Sequence, residues 1–199
     1  DNQFVPPTTC RVLMRWLNIS CCCAQMNSLC DRQIIEKLYE ASSVGVEIYL
    51  VIRGICCLRT GIPGVSEHIH VTSIVGTFLE HSRIFYFYNN GQEDIYMGSA
   101  DWMPRNLDRR VEIVFPVEDD VIKDRIKHIL DVLLRDNLKA YAMLSDGTYA
   151  KMSRRGKQAI GAQMTFCREA MEGAKEETTV WKGRRFIPIW AFDEEEHEA

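Results

Sequence analysis

The stretch His81-Ser82-Arg83-Ile84-Phe85-Tyr86-Phe87-Tyr88-Asn89-Asn90-Gly91-Gln92-Glu93-Asp94-Ile95-Tyr96-Met97-Gly98-Ser99-Ala100-Asp101 decides the fold. Asn-Gly between two β-rich runs is the strongest short hairpin signal, because the tight turn needs positive φ at its centre. With the turn near residues 89 to 93 and Tyr88 opposite Asp94, Arg83 comes near Ser99 and His81 near Asp101. One end of the hairpin then gathers an imidazole, a guanidinium and small polar groups. That set suits phosphate chemistry, since histidine exchanges a proton or attacks phosphorus and arginine grips phosphate oxygens with a planar fork.

Outward from the hairpin the pattern alternates helix and strand. Asp31 can cap a helix whose apolar face is Ile34, Ile35, Leu38, Tyr39 and Val44, with Gly45 as its stop. Val46 to Ile52 is a near-continuous β-branched run, the mark of a strand covered on both faces. Arg53-Gly54 ends it and opens a glycine- and proline-bearing loop through Gly64. His70 to Val75 reads as a short strand and residues 77 to 80 as a turn of helix. Arg110 to Val117 is a further β-run. Residues 119 to 135 give the strongest helix, with Val121, Ile122, Ile126, Ile129, Leu130, Val132 and Leu133 spaced for burial. Lys139 to Leu144 and Thr148 to Met152 flank Asp146-Gly147, a second hairpin signal, and 157 to 175 form a last helix. This is an α/β layout around a mixed sheet. No internal repeat is visible, and the acidic Asp193-Glu194-Glu195-Glu196 reads as a solvated tail.

The chain has 199 residues, 46% of them hydrophobic and 26% charged. That suits one domain, or one with a small appendage, and excludes a disordered chain. A net charge of -4 sets up no global field for nucleic acid, which is not expected as a partner. Any anion site must be local, and Arg105, Arg109 and Arg110 supply one cluster. No stretch reaches the roughly 18 apolar residues of a membrane span. The chain begins at Asp1 without a signal-like segment and reads as a piece of something larger. Its default compartment is the cytoplasm, with membrane association left open for the full-length protein. The eight cysteines include no C-x-x-C pair, so neither structural zinc nor a disulfide framework is expected, and Cys56-Cys57 reads as small buried thiols. Asn18-Ile19-Ser20 matches a glycosylation sequon by chance.

Each candidate residue has a plain structural rival. Arg53 leaves a buried strand where α/β sheets gather ligands, or it pairs with a carboxylate at the sheet rim. His81 alone would be a half-buried structural histidine; Arg83, Ser99 and Asp101 raise it. Asp101 alone would start a turn. His68 and His70 form an H-x-H pair without a third ligand, so no metal is assigned to them. Trp102 is a packing residue or a platform for a base. Arg105 follows the hairpin end directly and is taken as a phosphate grip, with Asp108 and Glu112 as its rival partners.

His81-x-Arg83, a strand, a turn and Gly98-Ser99-x-Asp101 resemble the H-x-K…G-S-x-N motif of the phospholipase D superfamily, with arginine for lysine and aspartate for asparagine. More specifically, five segments are similar to the C-terminal domain of polyphosphate kinase 1. They are Met26-Asn27-Ser28-Leu29, Val51-Ile52-Arg53-Gly54-Ile55-Cys56-Cys57-Leu58, Gly61-Ile62-Pro63-Gly64-Val65-Ser66-Glu67, Phe78-Leu79-Glu80-His81-Ser82-Arg83 and Ser99 to Arg110. The likeness runs from about Ala24 to the end, leaving 1–23 as an atypical leader ahead of a 24–199 phospholipase D-like domain. It implies reversible transfer of the terminal phosphate of ATP to inorganic polyphosphate, with Mg2+ bound mainly by other parts of the enzyme. It also implies a phosphohistidine in a preceding domain, ADP as product, the remaining domains as partners, and a homo-oligomer when complete. Arg53 and His81 match the family's arginine and second histidine at the nucleotide–phosphate site; the isolated piece is not expected to complete the reaction. Gln25 stands where the family usually has lysine, Thr77 where arginine is frequent, and His68 and His70 where asparagine and arginine are usual.

Overall fold

Strand β1 (Cys21–Met26), β2 (Glu47–Ile52) and β3 (Ile69–Ile74) run parallel at the centre of one mixed sheet. Antiparallel strands extend it on both sides: β4 (Ile84–Asn89), β5 (Gln92–Gly98) and β6 (Val114–Pro116) beyond β1, and β7 (Ala140–Met143) and β8 (Tyr149–Lys151) beyond β3. The order is β6-β5-β4-β1-β2-β3-β7-β8. The helices are α1 (Arg32–Ser43), the short α2 (Pro104–Arg109), α3 (Asp120–Leu134) and α4 (Ala162–Glu176). The computed structural model describes residues 21–89 and 91–176. The chain divides into two compact units, Asp1–Phe166 and Cys167–Ala199. Of the second, only the C-terminal part of α4 lies among the described residues.

The two-residue period of the strands sends alternate side chains to opposite faces. Cys22, Ala24 and Met26 join Ile48, Leu50 and Ile52 on the face covered by Ile34 and Leu38 of α1. Cys23, Ile84 and Ile95 meet Ile126 and Leu130 of α3 on the other face, and Val51 and Ile74 meet Val132 and Leu133. Fully burying each such aliphatic side chain contributes about 1.5–3 kcal/mol. Asp31 caps α1, accepting from the Ile34 N–H at 3.0 Å, and Gly45 turns the chain away at φ 90°. Asp119 caps α3 in the same way, accepting from Ile122 N at 3.0 Å.

Several expectations shift. The hairpin pairs Tyr88 with Glu93 and Asn89 with Gln92, one residue tighter than Tyr88 opposite Asp94. Gly91 follows at φ 97°, and Arg83 faces Gly98 rather than Ser99. The β-run from Arg110 shrinks to three residues, and Val111 is 89% exposed. Pro104 instead starts the unforeseen α2. Val121 and Ile122 belong to the exposed first turn of α3. Residues 77 and 78 form a bend and 79 and 80 no regular element, in place of a helical turn. Cys21–Cys23, grouped by sequence with the leader, open β1; residues 1–20 and the acidic tail lie outside the described residues. The seven described cysteines are free thiols. Burial pushes Cys23 up to about 12 and Cys56 up to about 11, whereas Cys57 is exposed, contrary to the reading of a buried pair.

Candidate functional site

Because β4 runs antiparallel to β1, with Gln25 opposite Ile84, the start of β4 returns to the carboxyl end of β1, beside that of β2. His81 and Arg83 therefore meet Asn27, which follows β1, and Asp101, which follows β5. Arg83 is 6% exposed and forks onto Asp101, Nε to Oδ1 at 3.2 Å and Nη2 to Oδ2 at 3.0 Å. Its Nη1 donates to the His81 carbonyl at 2.5 Å and to His81 Nδ1 at 2.7 Å. Asn27 completes the cluster. Its backbone N–H donates to Asp101 Oδ1 at 2.8 Å. With its amide turned so that both ends are satisfied, it donates to the Glu80 carbonyl at 3.0 Å and accepts from Arg83 Nη2 at 3.2 Å.

Two chemical consequences follow. A guanidinium has five N–H donors and no acceptor, and here all five are taken. The expectation of a phosphate grip at Arg83 is not what this geometry offers; the residue organises the site from beneath. Since a guanidinium only donates, His81 Nδ1 must accept. The neutral ring therefore carries its proton on Nε2, and His81 is exposed. The expected pairing of His81 with Asp101 is replaced by His81–Arg83–Asp101, with the arginine in the middle. The one-residue tighter hairpin and the length of the Arg83 side chain account for the change.

Arg53 begins the loop after β2, and its guanidinium pairs with no carboxylate among the described residues. Its buried Nε has no hydrogen-bond partner, and neither has the buried Oε1 of Gln25. Both line a cavity of about 10 Å3 with Glu80 and Ser82, the two neighbours of His81. That volume holds about one water, and a donor and an acceptor facing it satisfy the polarity a buried water needs. Arg53 thus shares this cavity with the residues that flank His81, its Nε unpartnered.

The other candidates separate. Ser99 Oγ donates to Glu112 Oε2 and accepts from Ile113 N at 3.1 Å, so it braces the start of β6. Asn106 Nδ2 donates to the other Glu112 oxygen at 2.6 Å. Arg105 is exposed on α2 and makes no ion pair among the described residues. Trp102 is 1% exposed and stacks on Phe85 at 5.1 Å, which makes it core. His68 and His70 share Glu47, at 2.7 Å and 3.4 Å, and these contacts hold the Glu47 carboxyl below its ordinary value. Among the described residues no group of three or more His, Cys, Asp or Glu could hold a metal ion, so these donors do not fit a Mg2+ site. Sequence reasoning missed Asn27 and Glu112 as site residues and noted Gln25 only as standing where the family usually has lysine. Asn27 had a signal, its place in Met26-Asn27-Ser28-Leu29; Glu112 was read only as a partner for Arg105 and its neighbours.

Known proteins resemble this chain closely. The family model described as polyphosphate kinase C-terminal domain 2 matches residues 18–163. The polyphosphate kinase of Bacillus anthracis is 50% identical over 77% of this chain and 22% of its own length. That of Pseudomonas aeruginosa is 56% identical over 68% of this chain and 20% of its own length. The crystal structure of polyphosphate kinase from Porphyromonas gingivalis superposes with a TM-score of 0.76 at 38% identity, covering 86% of this chain and 27% of that one. NucT from Helicobacter pylori, at 10% identity, 64% and 87% coverage and a TM-score of 0.50, shares the fold alone. The chain spans about a fifth to a quarter of the curated relatives it matches. No helix among the described residues is long and apolar enough to cross a membrane. The motif cluster at the strand ends, the mixed α/β sheet and the family match over most of its length agree: this chain belongs to the polyphosphate kinase family, as its C-terminal domain.

Proposed function

We propose that the chain supplies one wall of an ATP–polyphosphate phosphotransferase site, binding the terminal phosphates of ATP for reversible transfer to inorganic polyphosphate. The observation that carries this reading is the His81–Arg83–Asp101 chain, which leaves a donor N–H at His81 Nε2 while Arg53 lines a cavity with Glu80 and Ser82, the neighbours of His81. His81 would donate from Nε2 to an oxygen of the transferring phosphoryl group, and Arg53 would neutralise charge as the bond to ADP breaks. Arg105 would add an outer grip. Ser99 and Asp101 act through Glu112 and Arg83 and touch no substrate. The phosphohistidine, the magnesium ligands and the oligomeric contacts belong to parts of the enzyme beyond this chain.

A phospholipase D-type phosphodiesterase is the rival. There the histidine attacks phosphorus, which requires a lone pair on the attacking nitrogen. A guanidinium at Nδ1 puts the proton on Nε2 and opposes that role.

Calorimetry on the 199-residue chain tests the reading. ATP is expected to bind at least roughly tenfold, or about 1.4 kcal/mol, more tightly than AMP. Arg53→Ala should erase most of that difference, and raising the salt should shrink it by screening. Equal affinity for the two nucleotides, or an Arg53→Ala variant that keeps the discrimination, would remove Arg53 from the phosphate site.

A further inference from the structure

His81 rides on the connection from β3 to β4, residues 75–83, which has no helix or strand of its own. Phe78 and Leu79 in it are 53% and 64% exposed, so little apolar burial fixes this segment. One side chain from α4 grips it. Gln163 Oε1 accepts from Phe78 N at 3.0 Å, and Gln163 Nε2 donates to the Phe78 carbonyl at 2.8 Å and to Glu80 Oε1 at 2.9 Å. Both backbone groups of Phe78 are taken by one amide, which accounts for a bend where sequence predicted a helical turn. Gly76 makes the approach possible: a Cβ there would lie 2.1 Å from Gln163 Oε1.

Gln163 is itself held from behind. The Ala162 N–H donates to Asp136 Oδ2 at 2.7 Å, while Oδ1 accepts from Leu138, Lys139 and Ala140 N–H at 3.0, 2.8 and 3.2 Å. Asn137 Oδ1 accepts from Ile160 N at 3.1 Å, and its Nδ2 donates to the Gln158 carbonyl at 2.7 Å. Asp136 is 1% exposed, so this anchor works away from water, where hydrogen bonds hold geometry most firmly. Glu80 is thereby gripped from two sides, its carboxylate by Gln163 and its carbonyl by Asn27, immediately before His81.

We infer that Gln163 is a positioning residue, an amide latch that holds Phe78 and Glu80 so that the His81 ring stays seated on Arg83. The inference rests on the reading of His81 as the phosphoryl-facing donor. Gln163→Ala in the 199-residue chain should speed hydrogen exchange at the Phe78 amide by at least roughly tenfold, with β1 and β2 amides unchanged. It should also blur the single His81 tautomer in imidazole 15N spectra, a change that loss of stability elsewhere would not produce. Gly76→Ala should do the same by displacing the amide. Adding Gly76→Ala to Gln163→Ala should do almost nothing more, because the obstructing atoms are gone.

Function is read in a chimera in which residues 21–176 replace the matching segment of the Bacillus anthracis enzyme. There Gln163→Ala should lower kcat roughly 10–100-fold, with KM for ATP moving less than about threefold, as small misplacements of a reacting group do. A Phe78 amide as protected in Gln163→Ala as in the parent would overturn the latch. So would a Gly76→Ala effect that persists in full without the glutamine. If instead His81→Ala leaves the chimera active, the reading of the site fails while the exchange data still decide the latch.

Discussion

His81→Ala, placed in the same chimera, is expected to lower ATP-dependent polyphosphate synthesis by about 10²–10⁴-fold, the range for loss of a positioned proton donor. Folding should be nearly untouched, because the ring is exposed. The loss should fall on kcat more than on KM for ATP, since the donor matters most as charge gathers on the transferring group. His81→Gln sharpens the test. A glutamine amide can still present an N–H, so a donor role predicts roughly tenfold or more activity above alanine. A nucleophilic role predicts none, since an amide nitrogen does not attack phosphorus. Near-normal synthesis by the alanine variant would take His81 out of the reaction.

Asp101→Ala should be the most damaging single change to the fold around the site. It strands a guanidinium that is 6% exposed and removes the acceptor for the Asn27 N–H. Breaking one side of a buried ion pair costs about 3–5 kcal/mol. Urea denaturation of the 199-residue chain reads this directly, as a large fall in midpoint with little change in slope. Replacing both partners, Arg83→Met with Asp101→Leu, should recover part of that loss, because no unpaired charge remains. An unchanged midpoint for Asp101→Ala would mean that water reaches Arg83 in solution and that the ring of hydrogen bonds is not what holds His81.

The turn signal and the strand periods made the hairpin, β2, β3, the capped α1 and the span of α3 legible in the sequence, whereas β1, at the centre of the parallel strands, was not read from it. Asp31, Gly45 and Gly91 each act locally, through their own neighbours. The strand-end position of Arg53 was legible for the same reason. What escaped was everything settled by long-range contacts. Hairpin register turns on a single residue of loop length, and Asn-Gly signals the turn without fixing that count. A single step moved Arg83 off Ser99 and placed it between His81 and Asp101. Arg83 looked like a phosphate grip because an arginine beside a histidine usually has donors to spare; burial and five partners leave it none. Ser99, expected at the hairpin end with Arg83, bonds Glu112, a residue 13 positions on, and only the return of the chain into β6 brings the two together. Residues 77 to 80 carry no propensity that foretells their conformation, since Gln163, 85 residues beyond Phe78, imposes it.

The most direct check uses the 199-residue chain labelled with 15N in histidine and arginine side chains and titrated with ATP. The His81 resonances should show Nδ1 as an acceptor and Nε2 bearing the proton, and ATP should move the His81 Nε2 and Arg53 Nε signals together along one saturation curve. A proton on Nδ1, or an Arg53 signal that stays still while His81 moves, would show that the imidazole and the guanidinium do not face the same phosphate.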